Sequence, residues 1–469
     1  MPRNVLLDRA SYRTWFPHGF AMTGLPTFPE ALFINRASYR KTGIHFSGST
    51  LAQMIGQDMP QEAARFDVAI SGASYAGLAL ACSLADGLGE DFRIAVIDRA
   101  PAAPPAPDAR AFALSAASRH LLSVIGVWEA VAAEAQPVTA IDITDSALDA
   151  GVRPVLLSYD NATSEGETAT HIVPASLLGA ALRARAASHA SITLLAPATA
   201  TGFAIGEADA RLQLADGREL RAGLIVAADG RKSALREAAG IKLIGWDYPQ
   251  TGIVTTVRHE REHGGRAVQH FLPAGPFAIL PLTGNRACIT WSEDAGEAAR
   301  ILALDDVAFL AEVEKRFGGR LGAVALEGPR QSWPLSMHLA RRYVGERFAL
   351  IGDAAHGVHP IAGQGLNLGL RDVAALSEVI ADSVRLGFDA GDAQALSRYE
   401  RWRRFDSAVS TAAFDGINRL FASDQPLLRS VREVGLGLVD RAPALKRFFV
   451  NEAAGLTGDV PRLLRGERV

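Results

Sequence analysis

The sequence predicts an α/β fold, because three short apolar runs each end in a glycine-containing turn that leads towards a helix. These runs are residues 67–71, 224–228 and 348–351, and each has the length of a buried strand. Residues 252–257 and 287–291 alternate in a way that is typical of further strands. The chain has 469 residues, 48% of them apolar, which is enough for two or three domains with their own cores.

Charge and composition exclude several classes of protein. There are 48 Lys and Arg against 51 Asp and Glu, a net charge of −3, so nothing global favours binding to nucleic acid. No apolar run is long enough to span a membrane, and the N-terminus lacks the apolar core of a secretory signal. Cys82 and Cys288 fit no metal or redox spacing. We therefore expect a cytoplasmic protein of enzyme size.

Residues 1–58 differ in composition from the rest of the chain. Alanine is rarer there, and basic side chains outnumber acidic ones. We expect an appended segment that is disordered or that reflects a start codon assigned too early, because Met59 leads directly into the first predicted strand. A basic targeting segment is the alternative. In either case we expect the segment to carry no chemistry.

The first predicted strand leads into a turn of the kind that binds dinucleotides. Gly72 permits a tight turn, and Gly77 lets the next helix pack close to the strand, so that the helix N-terminus faces a pyrophosphate. Asp98 ends the following strand, about 20 positions later, where its carboxylate can accept hydrogen bonds from a ribose. Ser74 replaces the middle glycine and brings a Cβ towards the phosphates. Alone, this motif is also compatible with an α/β turn that binds no ligand.

Two later segments strengthen the prediction of a nucleotide site. The second buried strand ends on Asp229 and Gly230, directly before a helix. The third ends at Asp353, and the chain then passes Gly363 and Gly365 before a long helix. Glycines just before a helix N-terminus expose backbone N–H groups, which stabilise a phosphate or a negatively polarised ring oxygen.

Together, these motifs resemble the class A flavoprotein monooxygenases, the fold group of para-hydroxybenzoate hydroxylase, from Phe66 to the C-terminus. Finer features are similar to the ubiquinone-biosynthesis hydroxylases within that class. They lie in residues 108–115, 271–282, 359–372 and 445–466. The resemblance implies a Rossmann-like FAD-binding domain that is interleaved with a sheet-based substrate domain and followed by a helical C-terminal tail.

The same resemblance implies domain boundaries. The FAD-binding domain is expected at 66–138, 173–249 and 346–392, the substrate domain at 139–172 and 250–345, and the helical C-terminal region at 393–469. In this arrangement the substrate sheet lies over the flavin.

The resemblance also implies roles for single residues around the nucleotide. Gly72, Gly77 and Asp98 are expected to hold the adenosine half of FAD, and Ser74 departs from the glycine pattern at the pyrophosphate. Arg110 is expected at the pyrophosphate or the flavin edge, where a guanidinium suits anionic oxygens. An ordinary surface arginine is the alternative for Arg110.

Further roles concern the flavin ring. Asp229 is expected near the pyrophosphate and the approach of the nicotinamide, unless it merely caps the following helix. Asp353 is expected at the ribityl chain or the pyrophosphate, and Pro360 beside the reacting face of the ring. Groups at the helix start offer hydrogen bonds to the pyrimidine edge of the isoalloxazine. They belong to Gly363, Gly365, Leu366 and Asn367.

Two histidines lie in the third motif. His356 and His359 stand three residues apart, but no third ligand has a readable spacing, so we predict no metal. His356 is a candidate catalytic acid or base. The alternative is a turn residue held against the flavin loop.

The chemistry implied by the resemblance is ring hydroxylation. FAD, with NAD(P)H as electron donor and O2 as co-substrate, would hydroxylate a polyprenylated phenol in ubiquinone biosynthesis through a flavin C4a-hydroperoxide. Hydroxylation of a soluble aromatic compound is one alternative. A flavin-holding accessory subunit of a membrane-associated quinone-synthesis assembly is another.

A substrate with a long prenyl tail implies a peripheral contact with the inner face of a membrane, and other quinone-synthesis enzymes as partners. Apolar residues at helical spacing and the basic and aromatic residues 446–449 favour the segment 423–450 for this contact. Packing of that helix on the FAD-binding domain is the alternative.

Overall fold

The structure of the chain is a computed structural model. It describes residues 64–101, 108–146, 148, 153–359, 363–421 and 442–469. The appended segment at 1–58, Pro360 and most of the expected membrane segment at 423–450 lie outside these residues. The described residues all belong to one compact unit, Glu62–Val469.

Strands make up much of the described chain. They are β1 (Arg65–Ser71), β2 (Ile94–Ile97), β3 (Ala111–Ser115), β4 (Gln136–Pro137), β5 (Ala140–Asp145), β6 (Val155–Asp160), β7 (Thr170–Pro174), β8 (Ile192–Leu195), β9 (Ala200–Ile205), β10 (Ala210–Leu214), β11 (Glu219–Ala227), β12 (Leu243–His259), β13 (Arg266–Leu272), β14 (Gly275–Leu282), β15 (Arg286–Asp294), β16 (Val324–Leu326), β17 (Gln331–Ala340), β18 (Val344–Gly345), β19 (Phe348–Leu350) and β20 (His356–Gly357).

Helices connect and cover these strands. They are α1 (Tyr75–Leu88), α2 (Ala116–Val124), α3 (Trp128–Val131), α4 (Ala175–Ala187), α5 (Ala234–Ala238), α6 (Ala295–Leu302), α7 (Asp306–Phe317), α8 (Gly365–Arg385), α9 (Ala393–Phe421) and α10 (Pro443–Ala454). Short 3₁₀ turns lie at Ala132–Glu134, Gly352–Ala354 and Arg462–Arg465.

The first sheet is mainly parallel and has the order β18-β19-β11-β1-β2-β8, with β10 and β9 continuing from β11. β11 pairs in parallel with both β1 and β19. Its central strands are continuous apolar runs, and Ile70, Ile94 and Val226 are fully buried because both faces of the sheet are covered. The three strands predicted first from the sequence therefore lie side by side, and their carboxyl ends meet at one edge.

Helices α1 and α8 pack against each other beside this sheet. α1 buries a stripe of small and apolar side chains, including Leu78 and Leu80, so it can approach closely. α8 is amphipathic, and most of its residues are buried. Each helix starts at the carboxyl edge of the sheet, which is where ligands bind in folds of this type.

The second sheet is mainly antiparallel and has the order β20-β17-β12-β15-β14-β13-β5-β6, with β16 beside β12. Neighbouring residues point to opposite faces of it. Ile253 packs with Trp291 and Phe309 on the face that α6 and α7 cover. Val254 belongs instead to a smaller cluster with Ala109, which joins this sheet to the segment before β3.

A small third sheet has three strands in the order β3-β7-β4. The C-terminal region is helical: α9 contacts α8 and β17, and the final 3₁₀ turn buries Leu463 and Leu464 against α2. The predicted fold class, an α/β protein with a Rossmann-like domain, a second sheet-based domain and a helical C-terminal tail, is confirmed. Among the helices that the structure describes, none combines the length and the apolar character needed to cross a bilayer.

Candidate functional site

The site lies where two helices begin at the carboxyl edge of the first sheet. A Cβ placed on Gly369 of α8 would lie 3.4 Å from the Gly352 Cα and 3.9 Å from the Ala76 Cβ of α1. The turn after β19 and the first turns of both helices are therefore in contact. The first N–H groups of a helix have no partner inside it, so two sets of donors and two positive dipole ends meet here. This arrangement suits an anionic group such as a pyrophosphate.

The turn after β1 has no room for side chains at its two glycines. Gly72 has φ 113°, and a Cβ there would lie 2.3 Å from the Ala228 carbonyl oxygen. A Cβ on Gly77 would lie 1.9 Å from the Gly72 carbonyl oxygen. Both glycines are thus required by the close approach of turn, helix and neighbouring strand. Ser74 is exposed at the N-cap of α1 and makes no side-chain capping bond, so its hydroxyl is available to a ligand.

Asp98 is brought next to this glycine turn. Its Oδ2 accepts a hydrogen bond of 2.7 Å from the Ala73 N–H, and its Oδ1 accepts one of 2.7 Å from the Ala100 N–H. The carboxylate therefore fixes the turn against the end of β2. Each oxygen keeps one lone pair, so the carboxylate can still accept hydrogen bonds from a ribose.

Arg110 lies just before β3 and is held by Asp108. Its Nη2 donates to the Asp108 Oδ2 at 2.7 Å, and this bond raises the pKa of Arg110. The guanidinium also lies 5.7 Å from the Phe112 ring and 5.9 Å from the Trp333 ring. Asp353, whose carboxylate is exposed, interacts electrostatically with Arg110. The structure therefore brings Arg110 and Asp353 into one region, although they are far apart in sequence.

Asp229 follows β11 and is only partly satisfied. Its Oδ2 accepts a long bond of 3.5 Å from the Leu235 N–H, while its buried Oδ1 has no hydrogen-bond partner among the described residues. The N-cap of α5 is Ser233, whose hydroxyl accepts from the Arg236 N–H. Capping therefore leaves one oxygen of Asp229 for a ligand donor.

The loop before α8 is braced by Asn367. Its Oδ1 accepts from the Ser115 N–H at 3.0 Å and from the Ser118 hydroxyl at 2.8 Å, and its Nδ2 donates to the Ala113 carbonyl at 2.8 Å. These bonds occupy the amide, so only the backbone of Asn367 is open to a ligand. Gly363 has φ 61°, and a Cβ on it would lie 3.1 Å from the Ala113 Cβ. Gly365 and Leu366 form the first residues of α8.

His356 lies in a buried charge network. It is 1% exposed, and its Nε2 lies 2.6 Å from the Asp372 Oδ2, which also accepts from the Gly352 N–H at 2.9 Å. Arg403 of α9 donates to the other oxygen of Asp372 at 2.8 Å. Burial alone would raise the pKa of Asp372, but its contacts with His356 and Arg403 hold that pKa below its usual value. The network ties the turn at Gly352 to both α8 and α9.

Sequence reasoning missed several of these partners. Ser115, Ser118, Asp372 and Arg403 were not singled out, although the motifs that carry the resemblance include Ser115 and Asp372. A charged Asp372 on a helix face that is otherwise apolar was the available signal, because charges are rarely buried without a partner. Within the described residues, no group of three His, Cys, Asp or Glu is placed to hold a metal ion.

Fold and site together define a class of protein: an FAD-binding enzyme that joins a nucleotide-binding parallel sheet to a large antiparallel sheet. The sequence profile of the family described as FAD binding domain matches residues 65–412. Ubiquinone hydroxylase UbiL of Rhodospirillum rubrum is 43% identical over 406 residues, covering 85% of this chain and 92% of that protein. 3-Demethoxyubiquinol 3-hydroxylase of Escherichia coli is 33% identical over 395 residues, covering 83% and 98%.

A solved structure agrees with the fold. The p-nitrophenol 4-monooxygenase PnpA from Pseudomonas putida superposes with a TM-score of 0.70 at 16% identity, covering 84% of this chain and 99% of that one. The chain belongs to the ubiquinone-biosynthesis hydroxylase family of class A FAD-dependent monooxygenases. It is a flavoprotein hydroxylase, as the resemblance implied.

The residues present fit FAD. The cradle at Gly72 and Gly77 leaves the backbone open to a pyrophosphate, and the helix starts supply free N–H donors. The Asp229 Oδ1, which has no partner among the described residues, can accept a hydrogen bond from a ribityl or ribose hydroxyl. The roles of single residues towards FAD stay predictions.

Proposed function

We propose that this protein hydroxylates the ring of a polyprenylated phenol in ubiquinone biosynthesis, with O2 as co-substrate and NAD(P)H as electron donor. The observation that carries the proposal is the convergence of the α1 and α8 N-termini on the turn at Gly352. The names of the relatives support the pathway and the substrate class. FAD, when bound, supplies the oxygen activation that side chains lack.

The chain's own part is to bind, to orient and to exclude water. We propose that Gly72, Ser74 and Gly77 receive the pyrophosphate and that Asp98 receives the adenosine ribose. Arg110 and Asp353 would then lie near the pyrophosphate or the ribityl chain.

At the ring end, the backbone N–H groups of Gly365, Leu366 and Asn367 are proposed to contact the pyrimidine edge of the flavin, and Asp229 is proposed near the pyrophosphate and the approach of the nicotinamide. The dipole of α8 would stabilise negative charge there. Gly363 sets the path of this loop, and Pro360 is proposed beside the reacting face. We assign His356 to holding the turn at Gly352, because its Nε2 is already bonded to Asp372.

The domain boundaries remain a proposal as well. Residues 66–138, 173–249 and 346–392 would form the FAD-binding domain, 139–172 and 250–345 the substrate domain, and 393–469 the helical region. Most sheet memberships support this division, but β18 of the first sheet falls within 250–345 and β20 of the second sheet within 346–392. β12 begins at Leu243, before the proposed boundary at 250, so the second sheet reaches slightly into the first domain.

A place at the inner face of a membrane is a further proposal, supported by the prenyl tail expected of the substrate. Described apolar side chains that would suit such a surface are exposed, among them Leu386 and Phe405, each 76% exposed. Co-sedimentation with vesicles of anionic lipid would test the contact, and a protein that stays in the supernatant would contradict it.

Two experiments test the function. The purified protein should be yellow, with flavin absorbance, and a colourless folded protein would contradict the assignment of the cofactor. Deleting the gene should lower ubiquinone and accumulate a prenylated phenol that lacks one hydroxyl. Normal ubiquinone in a strain without a second hydroxylase would refute the pathway. An accessory subunit would carry flavin yet leave a supplied phenol unchanged, which separates that alternative.

A further inference from the structure

A cavity of about 260 Å³ lies against the second sheet, on the face that α6 and α7 cover. Val268 of β13 and Ile279 of β14 line it, and both belong to the apolar cluster on that face. Ala267, which precedes Val268, belongs instead to the cluster with Ala109 on the opposite face. Since Ala109 directly precedes Arg110, the cavity lies on the side of the sheet that faces away from the proposed cofactor site.

Basic side chains surround the opening of this cavity. Lys315 near the end of α7 and Arg320 just after that helix are exposed and line the cavity, so it is open to solvent on their side. No Asp or Glu is among the described residues that line it. An electropositive opening of this kind attracts anions. The Lys and Arg residues that line the cavity are Arg153, Arg266, Lys315 and Arg320.

One buried carboxylate holds two of these guanidinium groups. The Asp142 Oδ1 accepts a hydrogen bond from the Arg266 Nη1 at 2.7 Å, and its Oδ2 accepts one from the Arg320 Nη1 at 2.6 Å. In the described part of the chain, the Nε and Nη2 groups of both arginines make no hydrogen bond, so these donors remain available. Two guanidinium groups that are fixed in this way suit an anionic group with several oxygens.

The opening keeps a surplus of positive charge. Arg153 caps the C-terminal end of α7, because its Nη2 donates to the Lys315 carbonyl at 2.7 Å and its Nη1 donates to the Arg316 carbonyl. Its charge therefore offsets the negative end of the helix dipole. The Asp142 carboxylate neutralises one of the two arginines that it holds. With Lys315, which makes no ion pair among the described residues, a surplus of two positive charges remains.

The wall of the cavity senses this charge. His270 lines it, and its Nδ1 lies 2.6 Å from the Thr144 hydroxyl oxygen. Burial, followed by the positive charges of Arg153 and Arg320, lowers the pKa of His270 to about 4. The imidazole is therefore neutral near pH 7 and adds no positive charge of its own. The influence of the two arginines on it agrees with an electropositive cavity.

The size and the remaining wall of the cavity define the ligand further. A volume of about 260 Å³ corresponds to roughly nine water molecules at about 30 Å³ each, which is room for one phosphate group and a short carbon chain. A phosphomonoester carries about −1.5 to −2 charges at pH 7 and has three acceptor oxygens, so it matches the surplus better than a carboxylate does. The apolar side chains of the wall are Val155, Val268, Ile279, Phe317 and Leu321.

We propose that this cavity binds a phosphomonoester that carries a short apolar chain. Its phosphate lies at Arg266, Lys315 and Arg320, and its chain lies against the apolar wall. A soluble alkyl phosphate and the headgroup of phosphatidic acid share this chemistry. The site does not depend on the proposed function, because it lies on the other face of the second sheet.

Calorimetry on the FAD-loaded protein with hexyl phosphate tests the site, while flavin absorbance checks that FAD stays bound. We expect saturable binding that is at least about tenfold tighter than that of inorganic phosphate or 1-hexanol, each of which lacks one half of the ligand. Hexyl sulfate, which has the same chain and a single charge, should also bind about tenfold more weakly. Absence of saturable binding of hexyl phosphate would overturn the proposal, and so would equal affinity for any of these three compounds.

Three variants locate the binding. Arg320→Gln should weaken binding of hexyl phosphate about tenfold, because it removes a charged donor. Arg218→Gln is the matched control and should keep the wild-type affinity: the Arg218 side chain is 53% exposed, against 52% for Arg320, and it also pairs with an aspartate. Lys315→Gln covers the case in which Arg320→Gln does not fold, and it should weaken binding about threefold or more. Wild-type affinity in Lys315→Gln, or an equal loss in Arg218→Gln, would contradict the proposal.

Vesicles separate the two sources of the ligand. Displacement of hexyl phosphate by phosphatidylcholine vesicles that contain phosphatidic acid, but not by phosphatidylcholine alone, would assign the site to a lipid headgroup. No displacement by either would assign it to a soluble phosphomonoester. Both results support the site, since both start from bound hexyl phosphate. Failure of hexyl phosphate to bind would remove the site and leave the proposed hydroxylation untouched.

Discussion

The two large sheets differ in the kind of group that each contributes to the proposed site. At the first sheet, the groups proposed to bind the cofactor are mainly backbone N–H groups at the starts of α1 and α8, and they depend on glycines such as Gly77. At the second sheet, the groups that meet the segment before α8 are side chains, such as Gln250, whose positions depend on contacts between distant parts of the chain. A backbone site needs glycine at fixed spacing, whereas a side-chain site needs only correct placement in three dimensions.

The largest effect should come from filling the cradle at the first sheet. Gly77→Ala would put a Cβ 1.9 Å from the Gly72 carbonyl oxygen, so the helix must move away from the strand. We expect loss of bound flavin and a decrease of about 4 kcal/mol in the free energy of unfolding, measured by absorbance and urea denaturation.

Gly296→Ala is the matched control, since a Cβ on Gly296 meets nothing within 4 Å. It should stay within about 0.5 kcal/mol of wild type and keep its flavin. Equal flavin content and equal stability of the two variants would contradict the claim that the first sheet needs glycine at position 77.

The next largest effect concerns the network that joins the turn at Gly352 to α9. Asp372→Asn removes one of the two carboxylates that the buried Arg403 contacts, the other being Asp406, and should lower the free energy of unfolding by about 3 kcal/mol. Glu297→Gln, which disrupts an exposed ion pair with Arg300, is the control and should leave thermal unfolding unchanged. If Asp372→Asn is as stable as wild type, the assignment of His356 to this network is contradicted.

Acidification should destabilise the second sheet at a higher pH than the first sheet. His270 of β13 is buried, and burial followed by Arg153 and Arg320 lowers its pKa to about 4. An unfolded histidine takes up a proton near pH 6.5, so acidification from about 6.5 to 4 favours the unfolded chain. The stability should fall by up to about 1.4 kcal/mol per pH unit for each such histidine.

His270→Gln tests this dependence, because it removes one titrating group and should flatten the decline of stability between pH 6.5 and 4. β1, β2, β11 and β19 contain no histidine. As the pH falls, hydrogen exchange should therefore become faster in β13 before it does in β1. Simultaneous acceleration in the two strands would contradict the role given to His270.

A smaller effect is expected from a single side chain at the first sheet. Asp353→Ala should weaken FAD binding about tenfold, since it removes one charged group among many backbone contacts. Asp216→Ala, on the hairpin at the opposite end of β11, is the control. Full flavin occupancy of Asp353→Ala at limiting FAD would contradict the role given to this carboxylate.

Much of the first sheet could be predicted from the sequence. β1, β11 and β19 are continuous apolar runs with a glycine just after them, and Gly77 is required by a contact with Gly72 only five residues earlier, although Gly72 itself is required by Ala228 of a distant segment. β12 was harder: its first half is exposed and interrupted by a bulge between Asp247 and Thr251, so only 252–257 has a readable pattern.

Contacts between distant segments could not be predicted in this way. Asn367 meets Ser115 and His359 meets Gln250 only after the chain has folded, and no local pattern encodes either pair. The pairing of Asp229 was also open, and the structure gives the capping role to Ser233. Contacts between side chains of distant segments can be identified only from the tertiary structure.

A single turnover tests the central claim most directly. The FAD-loaded protein, reduced with dithionite in the absence of air, would be mixed with 2-geranylphenol and isotope-labelled dioxygen, which makes the natural electron donor irrelevant. We predict a ring-hydroxylated product that carries one labelled oxygen atom per flavin oxidised, as detected by mass spectrometry. Reoxidation of the flavin with release of hydrogen peroxide and an unchanged phenol would contradict the account.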